Sequence, residues 1–208
     1  MVFEKKIFFK GKNRFYYYLV GAIKGDGTEA ITARSYGLRL YAKDEDFHKA
    51  FVEAINGCFD EMNITENIDK RDGLKSTCFY GNGLRRIFHD DLKEINWIKE
   101  LDDGYFCALM RGFFDAEGSY THQKSVIRGY SCNHQHLQMA NTDYELMKLL
   151  GDECLKRRIA NFKLSIYPAR NCLGTKDKIY LRLHSIEGIK RFFLLIGSSI
   201  RRKVPSYC

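Results

Sequence analysis

A short glycine-containing motif occurs twice in the chain, and this duplication restricts the possible folds more than any other feature. Leu19–Gly27 aligns with Met110–Gly118, and every aligned pair of residues is offset by 91 positions. Gly21 aligns with Gly112, and each motif ends in an acidic residue followed by a glycine. Such self-similarity predicts two copies of one structural unit within a single chain.

The segments after each motif also repeat, and they alternate between strand-like and helix-like patterns. Leu38 and Leu40 alternate with other residues as in a strand, whereas Phe47, Phe51 and Ile55 recur at helical spacing. Each half therefore reads as a helix, two strands, a helix, two strands and a helix. The predicted strands span residues 28–35, 37–42, 64–69, 75–80, 119–128, 131–140, 161–169 and 178–184. The helices that follow pairs of strands are predicted at 44–57, 142–158 and 185–196, and a further helix is predicted to begin near residue 84.

This order predicts an α+β fold made of a duplicated αββαββα unit, with approximate two-fold symmetry between the halves. The N-terminal half is predicted at residues 1–94 and the C-terminal half at residues 105–208. Residues 95–104 are predicted to connect them.

Both motifs place small residues four positions apart, which favours close packing of two helices. Gly21 and Gly25 share one helical face, and Gly112 and Ala116 share the corresponding face of the second motif. Faces of small residues let two helix backbones approach closely. The glycine that ends each motif is predicted to cap its helix in the left-handed conformation. The two helices should therefore end side by side.

Asp26 and Glu117 lie in the last turns of these two helices, where carboxylates are disfavoured. A helix C-terminus carries about half a negative charge, and two neighbouring acids also repel each other. A divalent cation would relieve both repulsions. Carboxylate oxygens, together with the backbone carbonyls of Gly25 and Ala116, are ligands that suit Mg²⁺ better than zinc. The sequence therefore predicts a Mg²⁺ site formed by the two acids.

The two motifs, Val20–Gly27 and Arg111–Gly118 with the preceding Leu19 and Met110, resemble the paired signatures of the LAGLIDADG homing endonucleases. The resemblance covers nearly the whole chain and is to single-chain members that carry two motifs. It implies two saddle-shaped antiparallel sheets that straddle duplex DNA. It also implies metal-dependent cleavage of both strands at a long site, leaving short 3′ overhangs, with the two motif acids as catalytic metal ligands. By the same resemblance, Mn²⁺ substitutes for Mg²⁺, and Ca²⁺ binds without supporting cleavage.

The chain departs from the family pattern at two places. Lys24 stands where the motif name has its first Asp, whereas Asp115 keeps that letter in the second copy. The family often has a water-positioning glutamine at the end of the second strand, where this chain has Ala42 and Asn141. An asparagine side chain can hold water and an alanine side chain cannot. The two halves are therefore predicted to be catalytically unequal.

The family also implies a basic residue near each scissile phosphate. The best matches are Lys99, in the connector, and Lys203, and Lys43 is the rival in the first half. Positive charge at these places would stabilise the negative charge that a phosphate gains in the transition state. Hydrolysis of this kind needs no nucleophilic serine or cysteine, and no Ser-His-Asp pattern is evident.

Residues on the outer faces of the predicted strands are the candidate DNA contacts. If Leu38, Leu40, Leu137 and Met139 face the helices, the alternate residues face outward. Arginine, glutamine and threonine suit base edges, and lysines beside hairpin turns suit phosphates. The halves differ in these residues, which predicts an asymmetric target. The candidates are Thr28, Thr32, Arg34, Arg39, Tyr41, Lys70, Lys75, Ser119, Thr121, Gln123, His134, His136, Gln138, Lys176, Lys178, Tyr180 and Arg182.

The charge of the chain favours a polyanionic partner. Lysine and arginine number 34 and aspartate and glutamate 26, so the formal net charge is +8. The excess lies in residues 105–208, which carry 17 basic and 8 acidic groups, against 17 and 18 in residues 1–104. Nucleic acid is the commonest partner of such a surface. A solvated basic surface without a partner is the alternative that charge alone leaves open.

Composition argues against several other classes of protein. No stretch approaches about 18 uninterrupted apolar residues, and the first residues lack a small-residue cleavage site, so we expect neither a membrane span nor a secretory signal. The seven cysteines form no Cys-x-x-Cys pair, which favours a reducing compartment, cytoplasmic or organellar. Cys132, His134 and His136 alternate along a strand at roughly 7 Å, too far apart for all three to bind one zinc ion.

Three functions are compatible with these predictions. The leading hypothesis is a monomeric, Mg²⁺-dependent, site-specific DNA endonuclease of the homing type. The first alternative is a splicing cofactor (maturase) that binds its own intron RNA on the same scaffold. The second is a DNA-binding regulator that no longer cleaves, and the intact pair of motif acids counts against it.

Overall fold

The computed structural model of the chain has an α+β architecture built on antiparallel sheets. The residues that the structure describes are 8–31, 35–68, 74–81, 83–127, 130–169 and 175–206. The helices among them are α1 (Arg14–Asp26), α2 (Glu45–Cys58), α3 (Leu84–Lys93), α4 (Asp103–Glu117), α5 (Tyr144–Lys156) and α6 (Ile186–Leu195). The strands are β1 (Phe8–Phe9), β2 (Gly27–Ile31), β3 (Tyr36–Ala42), β4 (Phe59–Asp60), β5 (Asn63–Ile68), β6 (Lys75–Tyr80), β7 (Gly118–Ile127), β8 (Tyr130–Asn141), β9 (Lys163–Tyr167) and β10 (Lys178–Leu183).

The predicted order of helices and strands is confirmed in both halves. Two local details differ from the sequence-based expectation. α2 does not stop at Gly57 but continues to Cys58, and Gly57 serves packing instead, because a Cβ there would lie 2.3 Å from the ring of Phe15. The short antiparallel pair of β1 and β4 was not predicted.

The chain forms two compact units, residues 1–116 and 117–208. Nearly all of α4 therefore groups with the first unit, although its sequence is the second copy of the motif. The reason is physical, since α4 packs against α1. The halves 1–94 and 105–208 describe the duplication of the sequence, and with the connector 95–104 they stay a prediction.

The first unit contains a four-stranded sheet in the order β2-β3-β6-β5. α1, α2 and α3 pack on this sheet. Leu38 and Leu40 are fully buried, as their alternation predicts, and they share the core with Phe51, Phe79 and Phe88. Burial of each such side chain contributes about 1.5–3 kcal/mol. These ring contacts join α2 and α3 to β6 of the sheet.

The second unit repeats the arrangement, with a four-stranded sheet in the order β7-β8-β10-β9. α5 packs on β9 and β10, and α6 packs on β8. Leu137, Met139, Leu181 and Leu183 are buried, so the predicted inner faces of β8 and β10 are confirmed. Among the described residues, no helix has the length and apolar character that crossing a membrane requires.

Candidate functional site

α1 and α4 pack backbone to backbone at Gly21 and Gly112. A Cβ atom added at Gly21 would lie 2.0 Å from the carbonyl oxygen of Leu109, and one added at Gly112 would lie 2.1 Å from the carbonyl oxygen of Tyr18. Separations this short are far inside van der Waals contact, so neither position has room for a side chain. The predicted close packing of the two motif helices through small residues is therefore confirmed at these positions.

The position where the two motifs differ most is used for packing in both copies. In the second copy, Asp115 is buried and accepts a 2.8 Å hydrogen bond from the hydroxyl of Tyr18, which joins α4 to α1. In the first copy, the ammonium group of Lys24 donates to the carbonyl oxygens of Leu92 at 2.7 Å and Glu94 at 3.2 Å. A positive charge there suits the negative C-terminal end of α3.

Asp26 and Glu117 are the last residues of α1 and α4, and strands β2 and β7 begin at the next residue. The predicted left-handed glycine caps are wrong. Gly27 is extended, with φ −95° and ψ 169°, and Gly118 does not have a positive φ. Gly27 is needed for space instead, because a Cβ there would lie 2.4 Å from the Cα of Ile23. Each acid thus lies at a direct helix-to-strand junction with no loop between.

Glu117 is held by a neighbouring amide at the end of β8. Nδ2 of Asn141 donates to Oε1 of Glu117 at 2.5 Å. Oδ1 of the same amide accepts from the backbone N–H of Asp143 at 2.9 Å, which fixes which way the amide points. Asn141 therefore lies beside the predicted metal ligand Glu117, and its hydrogen bond orients the carboxylate of Glu117.

The registers of the two sheets show that Ala42 and Asn141 occupy equivalent positions. Each lies two residues after the strand residue that pairs with the glycine ending the motif. Ala42 is buried, and its carbonyl oxygen accepts a 3.1 Å hydrogen bond from Nε2 of His48. The polar side chain that the second half has at this position is therefore missing from the first half.

The three candidate lysines lie in different surroundings. Lys43 is exposed just after β3, and Lys99 is exposed in a 3₁₀ turn, where its ammonium group donates to Oδ1 of Asn96 at 3.1 Å. Lys203 is almost fully buried in a second 3₁₀ turn after α6. Their roles near the scissile phosphates stay predictions.

The donor chemistry at the helix ends fits a hard cation. Asp26 is exposed and Glu117 is partly buried. The carbonyl oxygens of Gly25 and Ala116 are the backbone atoms next to them that could bind a metal ion. Among the described residues, no group of three or more His, Cys, Asp or Glu side chains could hold a metal ion. Mg²⁺ is commonly bound by one or two carboxylates and completes its shell with water and substrate phosphates. An ion of that kind, unlike structural zinc, suits this donor set.

The outer faces of the sheets carry most of the candidate DNA contacts. Thr32, Arg34 and Lys70 lie outside the described residues. Those exposed to solvent are Thr28, Tyr41, Thr121, Gln123, His134, Lys176 and Lys178, and those partly buried are Arg39, Lys75, Ser119, His136, Gln138, Tyr180 and Arg182.

One of these candidates, Lys75, already has acidic partners. Its ammonium group lies 3.2 Å from Oε1 of Glu45 and 3.1 Å from Oε1 of Glu66. Burial alone would lower the pKa of Lys75, but the hydrogen bonds to Glu66 and Glu45 raise it above its ordinary value. The charge of Lys75 is therefore compensated within the first unit.

Sequence reasoning missed a cluster around Arg39 on the outer face of the first sheet. Nε of Arg39 contacts Sγ of Cys78 at 2.7 Å, Nη1 donates to the hydroxyl of Tyr41 at 2.7 Å, and Nη2 donates to that of Tyr80 at 2.9 Å. These hydrogen bonds, that of Tyr41 first, raise the pKa of Arg39. Alternation along β6, where Phe79 is inward, could have predicted Cys78 and Tyr80 on the outer face.

A second cluster surrounds Arg182 in the second sheet. Nη1 of Arg182 donates to the hydroxyl of Tyr167 at 3.0 Å, and Nε donates to Oε1 of Gln138 at 3.3 Å. The guanidinium also lies 4.5 Å from the ring centre of Tyr180 and 4.9 Å from that of Tyr167. Tyr167 was not among the sequence-based candidates.

The fold matches solved structures of two kinds of protein. A structure of mesophilic variants of the homing endonuclease I-DmoI matches with a TM-score of 0.59 and 16% identity, over 88% of this chain and 95% of that chain. The N-terminal LAGLIDADG domain of DUF199/WhiA matches with a TM-score of 0.63 and 17% identity, over 96% and 87% of the respective chains. The chain has the LAGLIDADG fold.

Other matches to the LAGLIDADG fold extend this comparison. Full-length DUF199/WhiA from Thermatoga maritima matches with a TM-score of 0.62 and 19% identity, and this chain covers 58% of its length. I-DmoI in complex with DNA and Mn matches with a TM-score of 0.58 and 16% identity, over 88% of this chain and 96% of that chain, and I-DmoI is also solved with DNA and Ca. No protein-family model and no curated protein sequence matches the chain.

Substitution of Gly21 by alanine should destabilise the protein, because the new methyl group would collide with the backbone of α4. Overpacking of this kind costs about 1–3 kcal/mol, and more where the obstacle is backbone. Urea unfolding followed by far-UV circular dichroism measures the change. Gly104→Ala in α4 is the matched control, since its Cβ would approach only the side chains of Arg14 and Asp102, at 3.3 Å. Equal losses of stability in the two variants would contradict the backbone contact.

Proposed function

We propose that the chain is a divalent-metal-dependent endonuclease that cuts both strands of a specific duplex DNA site. One observation carries this proposal. Two equivalent helices, packed backbone to backbone, each end in an acid at a direct junction with a sheet. I-DmoI, which shares the fold, is solved with DNA and Mn, and this supports the same substrate class and ion type.

Asp26 and Glu117 would hold the ion together, one acid from each copy of the motif. A bound Mg²⁺ would supply Lewis-acid stabilisation of the phosphate and a water of lowered pKa. Asn141 orients the Glu117 carboxylate through its 2.5 Å hydrogen bond. Lys99 and Lys203 would add positive charge near the transition state, with Lys43 as the rival in the first half.

Duplex DNA would lie on the outer faces of the two sheets. Those faces carry hydroxyl, amide and guanidinium groups that suit base edges, and the surplus of basic charge lies in residues 105–208. The two faces carry different residues at equivalent positions, such as Arg39 in β3 and Gln138 in β8. A single copy of the chain would therefore bind an asymmetric site.

A DNA-binding protein that does not cleave is the second candidate. The observation that favours it is that the first half has Ala42 where the second half has Asn141. No amide at this position can therefore act in the first half as Asn141 acts on Glu117. Cleavage would then be weak or absent even though both acids are present.

Cleavage of the natural target distinguishes the endonuclease from the non-cleaving DNA-binding protein and from a splicing cofactor. The substrate is a supercoiled plasmid that carries the uninterrupted insertion site of the chain's own gene, which is the two flanking DNA sequences joined directly to each other. With Mg²⁺, the wild-type protein should linearise this plasmid, and with EDTA it should not. Intact plasmid under every condition, with tight and specific binding retained, would favour the non-cleaving protein. Intact plasmid with tight binding to intron RNA would favour the splicing cofactor.

Asp26→Asn and Glu117→Gln should each abolish cleavage of that plasmid while DNA binding persists. Each change removes the negative charge of a metal ligand but keeps its size, so the rate should fall by about 100-fold or more. Gel-shift titration and plasmid cleavage measure the two properties. Asp90→Asn, an exposed acid on α3, is the control and should cleave normally. Full activity of either motif variant would refute its role as a ligand.

Asn141→Ala should slow the cutting of one strand more than the other, because Glu117 would lose the amide that orients it. Nicked circular plasmid should then accumulate before linear plasmid appears, and agarose gels resolve these forms. Asn141→Gln keeps an amide and should restore part of the rate. Unchanged, simultaneous cutting of both strands by Asn141→Ala would contradict the positioning role.

A further inference from the structure

The two sheets carry an arginine in the same cross-strand pair. In the first sheet Arg39 of β3 pairs with Cys78 of β6, and in the second Gln138 of β8 pairs with Arg182 of β10. Both pairs lie one residue before the strand position that faces the motif glycine. The two arginines therefore occupy one position of the duplicated unit, on neighbouring strands of it.

In the first sheet, the guanidinium of Arg39 is held at three points by Tyr41, Tyr80 and Cys78. A guanidinium has five N–H donors, so two of them have no acceptor among the described residues. Tyr41 and Tyr80 accept from the arginine with their hydroxyl oxygens. Their own O–H groups are not used in these bonds.

In the second sheet, the guanidinium of Arg182 is held by hydrogen bonds to Tyr167 and Gln138 and by the rings of Tyr167 and Tyr180. Tyr167 and Tyr180 also pack edge to face, with ring centres 5.1 Å apart. Three N–H donors of Arg182 therefore have no acceptor within the described part of the chain. The two clusters use different partners to reach the same result.

Neither guanidinium forms an ion pair with a described acid. Each is fixed by neutral groups, so its charge is left uncompensated while its orientation is restricted. An oriented fork of N–H donors can also bind a phosphate at two points, but a phosphate contact carries no sequence information. A fork of oriented N–H donors matches the paired O6 and N7 acceptors of guanine in the major groove.

We propose that Arg39 and Arg182 each read one guanine, at corresponding positions of the two halves of the target. Tyr41, Tyr80 and Tyr167 are positioning residues, which hold each guanidinium in the orientation that guanine requires. The inference rests on the proposed function, because it assumes that the sheets bind a specific duplex. The two arginines lie on neighbouring strands of the repeated unit, and such strands are about 4.8 Å apart. The position of the guanine within one half of the target should therefore differ from that in the other half by about one base pair at most.

Selection from a pool of randomised duplex DNA tests this proposal without cleavage. The full chain is incubated with the pool in EDTA, and bound DNA is recovered and sequenced. The wild-type protein should enrich a site with guanine at two corresponding positions. Arg39→Lys keeps the charge but not the fork, so it should lose the preference at one of these positions, and Arg182→Lys should lose it at the other.

Affinity should change at those positions and nowhere else. Each lysine variant should bind the enriched site about tenfold or more weakly than wild type, while binding to unrelated duplex stays within about twofold. Tyr41→Phe and Tyr80→Phe should weaken the guanine preference assigned to Arg39 and leave the other position unchanged. Arg86→Lys, an exposed arginine on α3, is the matched control and should alter no position.

The outcomes separate the two proposals. If the wild-type protein enriches a specific site but Arg39→Lys and Arg182→Lys select the same bases with the same affinity, the guanine assignment is overturned and the proposed function stands. If the lysine variants lose affinity equally for all duplexes, the arginines are phosphate contacts and the assignment is also overturned. If the wild-type protein enriches no site, site-specific binding itself fails.

Discussion

The contact between the backbones of α1 and α4 is the constraint on which the rest of the arrangement depends. It exists because Gly21 and Gly112 have no side chains, and it leaves no space for even a methyl group at either position. A contact this close draws α4 to α1, and so most of the second motif groups with the first compact unit. In the proposed function, the acids that end these two helices hold the metal ion together.

The two four-stranded sheets share one strand order but carry different side chains at equivalent positions. Asn141 orients Glu117, whereas Ala42 in the same register offers only its buried backbone. The motif position that is Lys24 in one copy and Asp115 in the other anchors α3 in the first case and joins α4 to α1 in the second. Such differences are compatible with one fold because they change side-chain contacts and leave the helix-to-strand junctions unchanged.

Much of the fold follows from local patterns in the sequence. The alternation of apolar residues such as Leu137 and Met139 predicts the inner faces of the strands, because successive side chains of a strand point to opposite faces of the sheet and the apolar face is buried. The prediction of left-handed caps is wrong because a strand follows each helix directly, with no turn between them. Gly27 is required because there is no space for a side chain beside Ile23. Tyr80 and Tyr167 were missed because they lie on other strands than the arginines they contact, and the sequence alone does not give the pairing of those strands.

The proposed chemistry requires that Asp26 and Glu117 share a cation beside DNA. Anomalous diffraction from crystals of the protein with its target duplex and Mn²⁺ tests it most directly. We expect a manganese peak within coordination distance of both carboxylates and of a phosphate oxygen. Manganese that binds neither acid, or the two carboxylates turned to separate places away from the DNA backbone, would contradict it.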